Sequence, residues 1–475
     1  MRLRVITLVI LFIWLVLSLA GARADTIHLK NGRTIVADHV RENGNHYEYD
    51  IGDDSYAIPK SSVERVDAGG LPAQSPSNAA KVADLPTFTP ADNLGNEGDL
   101  FAKIVKEDKV DPDVLSSIES KGNAELSATA GFIAGKFEFE HGNIAQARRY
   151  FENALRFQPE NSTILIYYSA LLVRTGNAAE ALPYAQRAVR SAPSSPDAYT
   201  MLGYAQFASD RTKDAVISWK KSLELRPDAT VQQFLAKAQR EDAVESDFSQ
   251  HESSHFVLHY EGKQVSESFR SQIVAALESD YDDLARDLGN PPRDNILVTI
   301  YTEQAFFDVT HAPTWSGAIN DGKLRIPVSG LSSVSPELAR VLKHELAHSF
   351  INQLSGGRCP HWLNEGIAQF LEPKSLGGDG HQLAVLFKAQ RNIPLNVLEG
   401  SFMNFSGVEA YVAYAESLAA VAYINDSYGM SDVQRILQLL SQGSSTEAAL
   451  RSTIHSDYGQ FESDLGKYLA DRYGT

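Results

Sequence analysis

The chain has 475 residues, with 43 Lys+Arg against 60 Asp+Glu and a formal charge of −17. Hydrophobic content of 43% and charged content of 22% exclude a collagen-like, wholly disordered or polytopic membrane chain, and the length predicts about three domains. A single cysteine, Cys359, excludes an intramolecular disulfide framework and any multi-cysteine metal site, and the acidic balance argues against nucleic acid as a partner.

Arg2 and Arg4 precede an apolar run from Val5 to Ala20, and Ala22-Arg23-Ala24 follows as a small-x-small cleavage signal. This three-part pattern predicts a secretory signal peptide over residues 1–24, hence an exported protein, periplasmic or secreted, with no membrane attachment after cleavage. Without Arg2, Arg4 and Arg23 the mature chain carries −20.

Residues 25–67 read as short strands. Asn31-Gly32 separates two alternating runs and supplies the positive φ values of a type I′ turn. Four or five strands in this span predict a small all-β barrel near the lower size limit for independent folding. It resembles the SH3-like β module at the front of some exported bacterial proteins. Residues 68–98, with Gly69-Gly70 and prolines 72, 76, 86 and 90 among Ser, Asn and Ala, read as a linker.

The next segment repeats itself. Pro159, Pro193 and Pro227 are 34 residues apart, with Ala147, Ala181 and Ala215 at one equivalent position. Gly135, Ser169 and Gly203 share a second position, and Phe151, Ala185 and Trp219 a third. Small residues at fixed places are what two touching antiparallel helices require. Three such units from about 128 to 227 resemble tetratricopeptide (TPR) motifs, so residues 99–245 are expected to form an α-helical TPR solenoid with flanking helices. The groove of such an array is a possible site for a protein partner; docking onto its own neighbouring domain is the alternative.

After residue 245 strands and helices mix. Ser254–Tyr260, Asn295–Tyr301 and Lys323–Val328 read as strands and Val265–Gly289 as a helix. Ser335-Pro336-Glu337 then opens a helix that carries His344-Glu345-Leu346-Ala347-His348. Histidines at i and i+4 share a helix face and can bind one zinc ion, with Glu345 between them as general base to a zinc-activated water. Seventeen residues after His348, Glu365 stands in Trp362-Leu363-Asn364-Glu365-Gly366-Ile367-Ala368. A carboxylate on a second, returning helix completes a His₂Glu ligand set.

HELAH followed by NEGIA at this spacing resembles the peptidase-MA-like (gluzincin) metallopeptidases over about residues 250–470. The resemblance implies an α+β zincin-like catalytic domain over 246–475, with His344, His348 and Glu365 as Zn²⁺ ligands and Glu345 as catalytic base. It further implies that Asn364 braces the site and that an oxyanion donor comes from a later helix. Tyr414, in Tyr414-Ala415-Glu416-Ser417, matches that donor, with Tyr411 as the fallback. Glu372 is a candidate acceptor for a ligand histidine, while His361 and Cys359 lack ligand spacing. The segment from Trp315 to Pro327 resembles the strand that pairs with substrate backbone. No amine-anchoring glutamate stands near Gly317, which favours an endopeptidase over an aminopeptidase.

The sequence therefore describes a multidomain protein: a small all-β barrel, a TPR solenoid and a zincin-like domain. The expected activity is zinc-dependent hydrolysis of a protein or peptide substrate. A TPR-based scaffold with an inactive or structural zinc domain is the alternative.

Overall fold

The computed structural model describes residues 24–30, 34–37, 39–44, 46–51, 54–70, 88, 97–106, 109–262, 265–310, 318–328, 331–402 and 405–474. Apart from Ala24, the expected signal peptide lies outside them, as do Trp315, Gly317 and most of the expected linker. Described residues fall in two compact units: the N-terminal strands with residues of 401–413, and residues 88–310, 318–400 and 414–474.

In the first unit, six strands form two three-stranded antiparallel sheets. Strands β1 (Ala24–Leu29), β2 (Thr34–Ala37) and β6 (Val63–Gly70) make one, in the order β2-β1-β6. Strands β3 (His39–Asn43), β4 (His46–Ile51) and β5 (Asp54–Pro59) make the other. Ile27 and Val63 are buried together, flanked by Val40, Tyr47, Tyr49, Ile58 and Val66. Where a small barrel was expected, the described strands form two three-stranded sheets with Ile27 and Val63 buried.

The second unit is mostly helical. Helices α1 (Glu97–Ile104) and α2 (Pro112–Ser120), with the short strands β7 (Val105–Lys106) and β8 (Lys109–Val110) between them, precede the repeats. Three helix pairs follow: α3 (Ala124–Glu140) with α4 (Ile144–Phe157), α5 (Ser162–Arg174) with α6 (Ala178–Ser191), and α7 (Pro196–Ala208) with α8 (Thr212–Leu225). The 34-residue period appears directly in the packing. A Cβ on Gly203 would stand 2.4 Å from the indole of Trp219, so the small residue on one helix makes room for the large one on the next. Asn161 and Ser195 cap α5 and α7 by accepting from backbone N–H groups three residues on. Helix α9 (Ala229–Glu245) closes the array, burying Val231 and Ala238 in the repeat core.

A five-stranded sheet comes next, in the order β12-β13-β11-β10-β9. Strands β10 (Phe256–Tyr260), β11 (Ile296–Tyr301) and β13 (Leu324–Pro327) run parallel, with Leu258 opposite Val298 and Val298 opposite Leu324. Antiparallel β9 (Ser249–Glu252) and β12 (Ile319–Asn320) form the two edges. Helix α10 (Glu267–Leu288) makes the crossover from β10 to β11, burying Phe269, Ile273, Leu277, Tyr281, Leu284 and Leu288, and α11 (Glu303–Thr310) follows β11. The remaining helices are α12 (Pro336–Ser355), α13 (His361–Leu371), α14 (Asp379–Lys388), α15 (Gly407–Ser427), α16 (Met430–Ser441), α17 (Thr446–Ile454) and α18 (Tyr458–Tyr473). No helix among the described residues is long and apolar enough to cross a membrane.

Candidate metal centre

Helix α12 is set at both ends by local chemistry. Ser335 accepts from the Leu338 N–H at 3.2 Å and Pro336 occupies the first turn, where its missing N–H costs nothing. Gly356, at φ 60°, adopts the left-handed conformation that ends the helix, and Gly357 N–H donates to Asn352 at 2.9 Å. The chain then returns through Pro360 into α13. Gly366 lets that helix approach α15: a Cβ there would lie 2.3 Å from the Ser417 carbonyl oxygen. Gln369 Nε2 donates to the Tyr414 carbonyl at 3.0 Å, a second tie between the same two helices.

These constraints bring His344, His348 and Glu365 into one group whose ligand atoms all lie within 4.8 Å of one another. His344 Nε2 is 3.6 Å from Glu365 Oε2, and His348 Nε2 is 3.9 Å from Glu365 Oε1. The three donors stand close enough together that they could hold one ion among them. His348 Nδ1 lies 2.9 Å from Asn364 Oδ1, which places the proton on Nδ1 and leaves the Nε2 lone pair for a metal. Among the described residues, neither buried His348 Nε2 nor buried Glu345 Oε2 has a hydrogen-bond partner. Both atoms are aligned for something beyond the polypeptide, and the donor set fits zinc.

Electrostatics separate the roles of the four groups. Burial opposes charge on His344, but Glu365 and Glu372 hold its pKa well above the ordinary range. Burial lowers His348 to about 4, against the pull of Glu365. Burial would raise Glu365, and the surrounding histidines 348, 344 and 361 overcome it and keep the carboxyl ionised. Burial pushes Glu345 up to about 7, with Glu365 and Glu372 adding repulsion and His344 opposing. His344 thus stands between two carboxylates that favour its protonation, 3.6 Å from each.

Glu372 faces His344 Nδ1, as its spacing suggested, and Asn364 braces His348. His361, set aside for lack of ligand spacing, nevertheless places Nε2 3.9 Å from Glu365 Oε1. The signal was there: four residues on one helix put the two on the same face. Asn320, on the edge strand, was not anticipated. Its side-chain amide donates to the Glu345 carbonyl and to Ser349 Oγ, each at 2.7 Å, clamping the sheet edge to the motif helix. Tyr414 is buried with its backbone beside α13, while Tyr411 belongs to the first unit.

The hairpin bearing Asn320 is anchored in turn by the last repeat helix. Arg325 Nη2 meets Glu241 at 2.7 Å and Arg325 Nε meets Asp321 at 2.9 Å. Lys323 Nζ reaches Glu241 at 2.5 Å and Asp210 at 2.8 Å, and Lys237 reaches Asp321 at 2.7 Å. Tyr301 donates to Glu245, whose pKa is raised by burial and by Glu241. Asp210 also meets His259 Nε2 at 3.0 Å, so four acids, three cations and a histidine share this cluster.

No curated protein matches the chain. Among solved structures, a MamA fragment from Desulfovibrio magneticus RS-1 is 17% identical, covering 32% of this chain and 88% of its own, with a TM-score of 0.24. A mutant O-GlcNAc transferase of Thermobaculum terrenum is 14% identical, covering 74% of this chain and 98% of its own, also at 0.24. Family models are more informative: residues 278–471 match the Peptidase MA superfamily, and residues 134–196 and 170–230 match the tetratricopeptide repeat. The chain thus carries a Peptidase MA superfamily domain together with tetratricopeptide repeats.

Proposed function

We propose that this protein is an exported zinc-dependent peptidase with a zincin-like catalytic domain, in which His344, His348 and Glu365 hold the ion. The observation that carries the reading is their convergence in one group, in which buried His348 Nε2 has no hydrogen-bond partner among the described residues. When bound there, zinc supplies Lewis-acid polarisation of the scissile carbonyl and makes water a better acid. Glu345 accepts the proton of the attacking water at Oε2 and delivers it to the departing amine nitrogen. Asn364 and Glu372 fix the ring orientations of His348 and His344. Strand β12, at the sheet edge, offers backbone groups to an extended peptide, and Asn320 keeps it in register with Glu345. The family resemblance makes the Tyr414 hydroxyl the donor to the oxyanion of the attacked carbonyl. The repeats recruit protein substrates or a partner, and the missing amine anchor favours endopeptidase action. Export rests on the pattern of residues 1–24, and a mature N-terminus at Asp25 is its check.

A second reading is a repeat-based scaffold whose zinc site is structural. It draws on the burial of Glu345, His348 and Glu365, each 3% exposed or less. Chelation followed by zinc re-addition, with casein cleavage as the readout, separates the two. The peptidase loses and regains cleavage; a scaffold retains zinc and leaves casein intact throughout.

A further inference from the structure

The repeat array holds a side chain from the segment that precedes it. Phe88, nine residues before Glu97, is only 6% exposed and belongs to the hydrophobic core of the repeats. Its ring meets Tyr167 edge-on, with centroids 5.8 Å apart, and its carbonyl accepts from the Tyr167 hydroxyl at 3.4 Å. Tyr167 also meets Phe132 edge-on at 5.1 Å, and Lys136 Nζ stands 5.8 Å from the Tyr167 ring. Phe132 and Lys136 lie on α3 and Tyr167 on α5, the first helices of two consecutive repeat units. Stacked repeats create extended binding surfaces of this kind.

The seat does not end at Phe88. A cavity of about 270 Å³ adjoins it along α3, lined by Phe101, Ile133, Phe137 and Glu140 together with the same Phe132 and Lys136. Two neighbouring apolar subsites thus share one wall, and the chain's own Phe88 fills one of them.

We propose that Phe88 is an intramolecular ligand of the repeat array, and that its seat recognises peptides carrying an aromatic residue. Any external peptide of this kind competes with Phe88, whose short tether gives it an effective concentration on the order of millimolar. The inference concerns the repeats and stands independently of the peptidase reading.

A fluorescent peptide of residues 82–94 serves as probe, with binding followed by anisotropy to the full-length protein and to Phe88→Ala. Burial of one phenylalanine corresponds to a competition factor of roughly tenfold or more. The Phe88→Ala protein is expected to bind the peptide at least about tenfold more tightly than the wild type. A copy of the peptide with alanine for its phenylalanine is expected to bind neither protein, and Tyr167→Ala added to Phe88→Ala to abolish binding. Equal affinity of wild type and Phe88→Ala for the probe, including no binding to either, overturns the proposal. Should Phe88→Ala fail to fold, Phe88→Leu keeps the apolar contact and is expected to give an intermediate affinity; wild-type affinity in that variant overturns the proposal equally.

Discussion

Arg325 on strand β13 and Glu241 on helix α9 meet at 2.7 Å, with Arg325 1% exposed and Glu241 fully buried. They lie 84 residues apart, and their contact makes the last repeat helix part of the wall behind the sheet. A buried pair of this kind contributes little net stability over a hydrophobic one but is costly to break, because the remaining charge has no solvent.

Arg325→Met is therefore expected to destabilise the second unit by roughly 3–5 kcal/mol, read as a lower urea midpoint. Replacing Glu241 by Met in the same protein is expected to recover much of the loss. A double variant no better than the single one contradicts this account of the junction.

Zinc uptake is expected to displace a proton. Because Glu365 and Glu372 raise the pKa of His344, binding near neutral pH is expected to release protons, with affinity falling as the pH is lowered. Calorimetric titration in two buffers of different ionisation enthalpy is expected to show that release. Asn364→Leu, which removes the acceptor for His348 Nδ1, is expected to weaken zinc binding by about 10–100-fold in a competition with a chelator.

Much of this arrangement is legible in the sequence, and the reasons are local. Pro159, Pro193 and Pro227 mark the helix pairs because each repeat must turn at the same place. HELAH marks two candidate ligands because helix geometry turns a spacing of four residues into a shared face, and NEGIA marks the third on the returning helix. The junction is not legible: Asp210, Glu241, Lys323 and Arg325 are ordinary surface residue types, brought together by contacts 82 to 113 residues apart. Strand β9, Ser-Gln-His-Glu and wholly exposed, has no alternation to distinguish it from a loop. Asn320 escaped notice for the same reason, since its value lies in reaching Glu345 and Ser349 across 25 and 29 residues.

Glu416 offers a pH test removed from the ligands. It is fully buried, and burial raises its pKa to about 8, with Glu462 adding to the shift and the Ile393 N–H opposing it. A carboxyl raised in the folded state stabilises fully below its unfolded value of about 4.5, and that contribution is lost as pH rises towards about 8. Thermal stability is expected to decline across this window, by roughly 3–5 kcal/mol for this group. Glu416→Gln, which keeps an acceptor for Ile393, is expected to remove that part of the decline. An unchanged slope in the variant contradicts the assignment.

In the proposed mechanism Glu345 moves a proton in a zinc-dependent hydrolysis and does not hold the metal. Zinc content and casein cleavage, measured together on wild type and Glu345→Gln, test it most directly. Equal zinc is expected, about one ion per chain at the His₂Glu site, with cleavage reduced by at least about 100-fold in the variant. Folded, zinc-loaded proteins that cleave equally, or that both fail to cleave, contradict it.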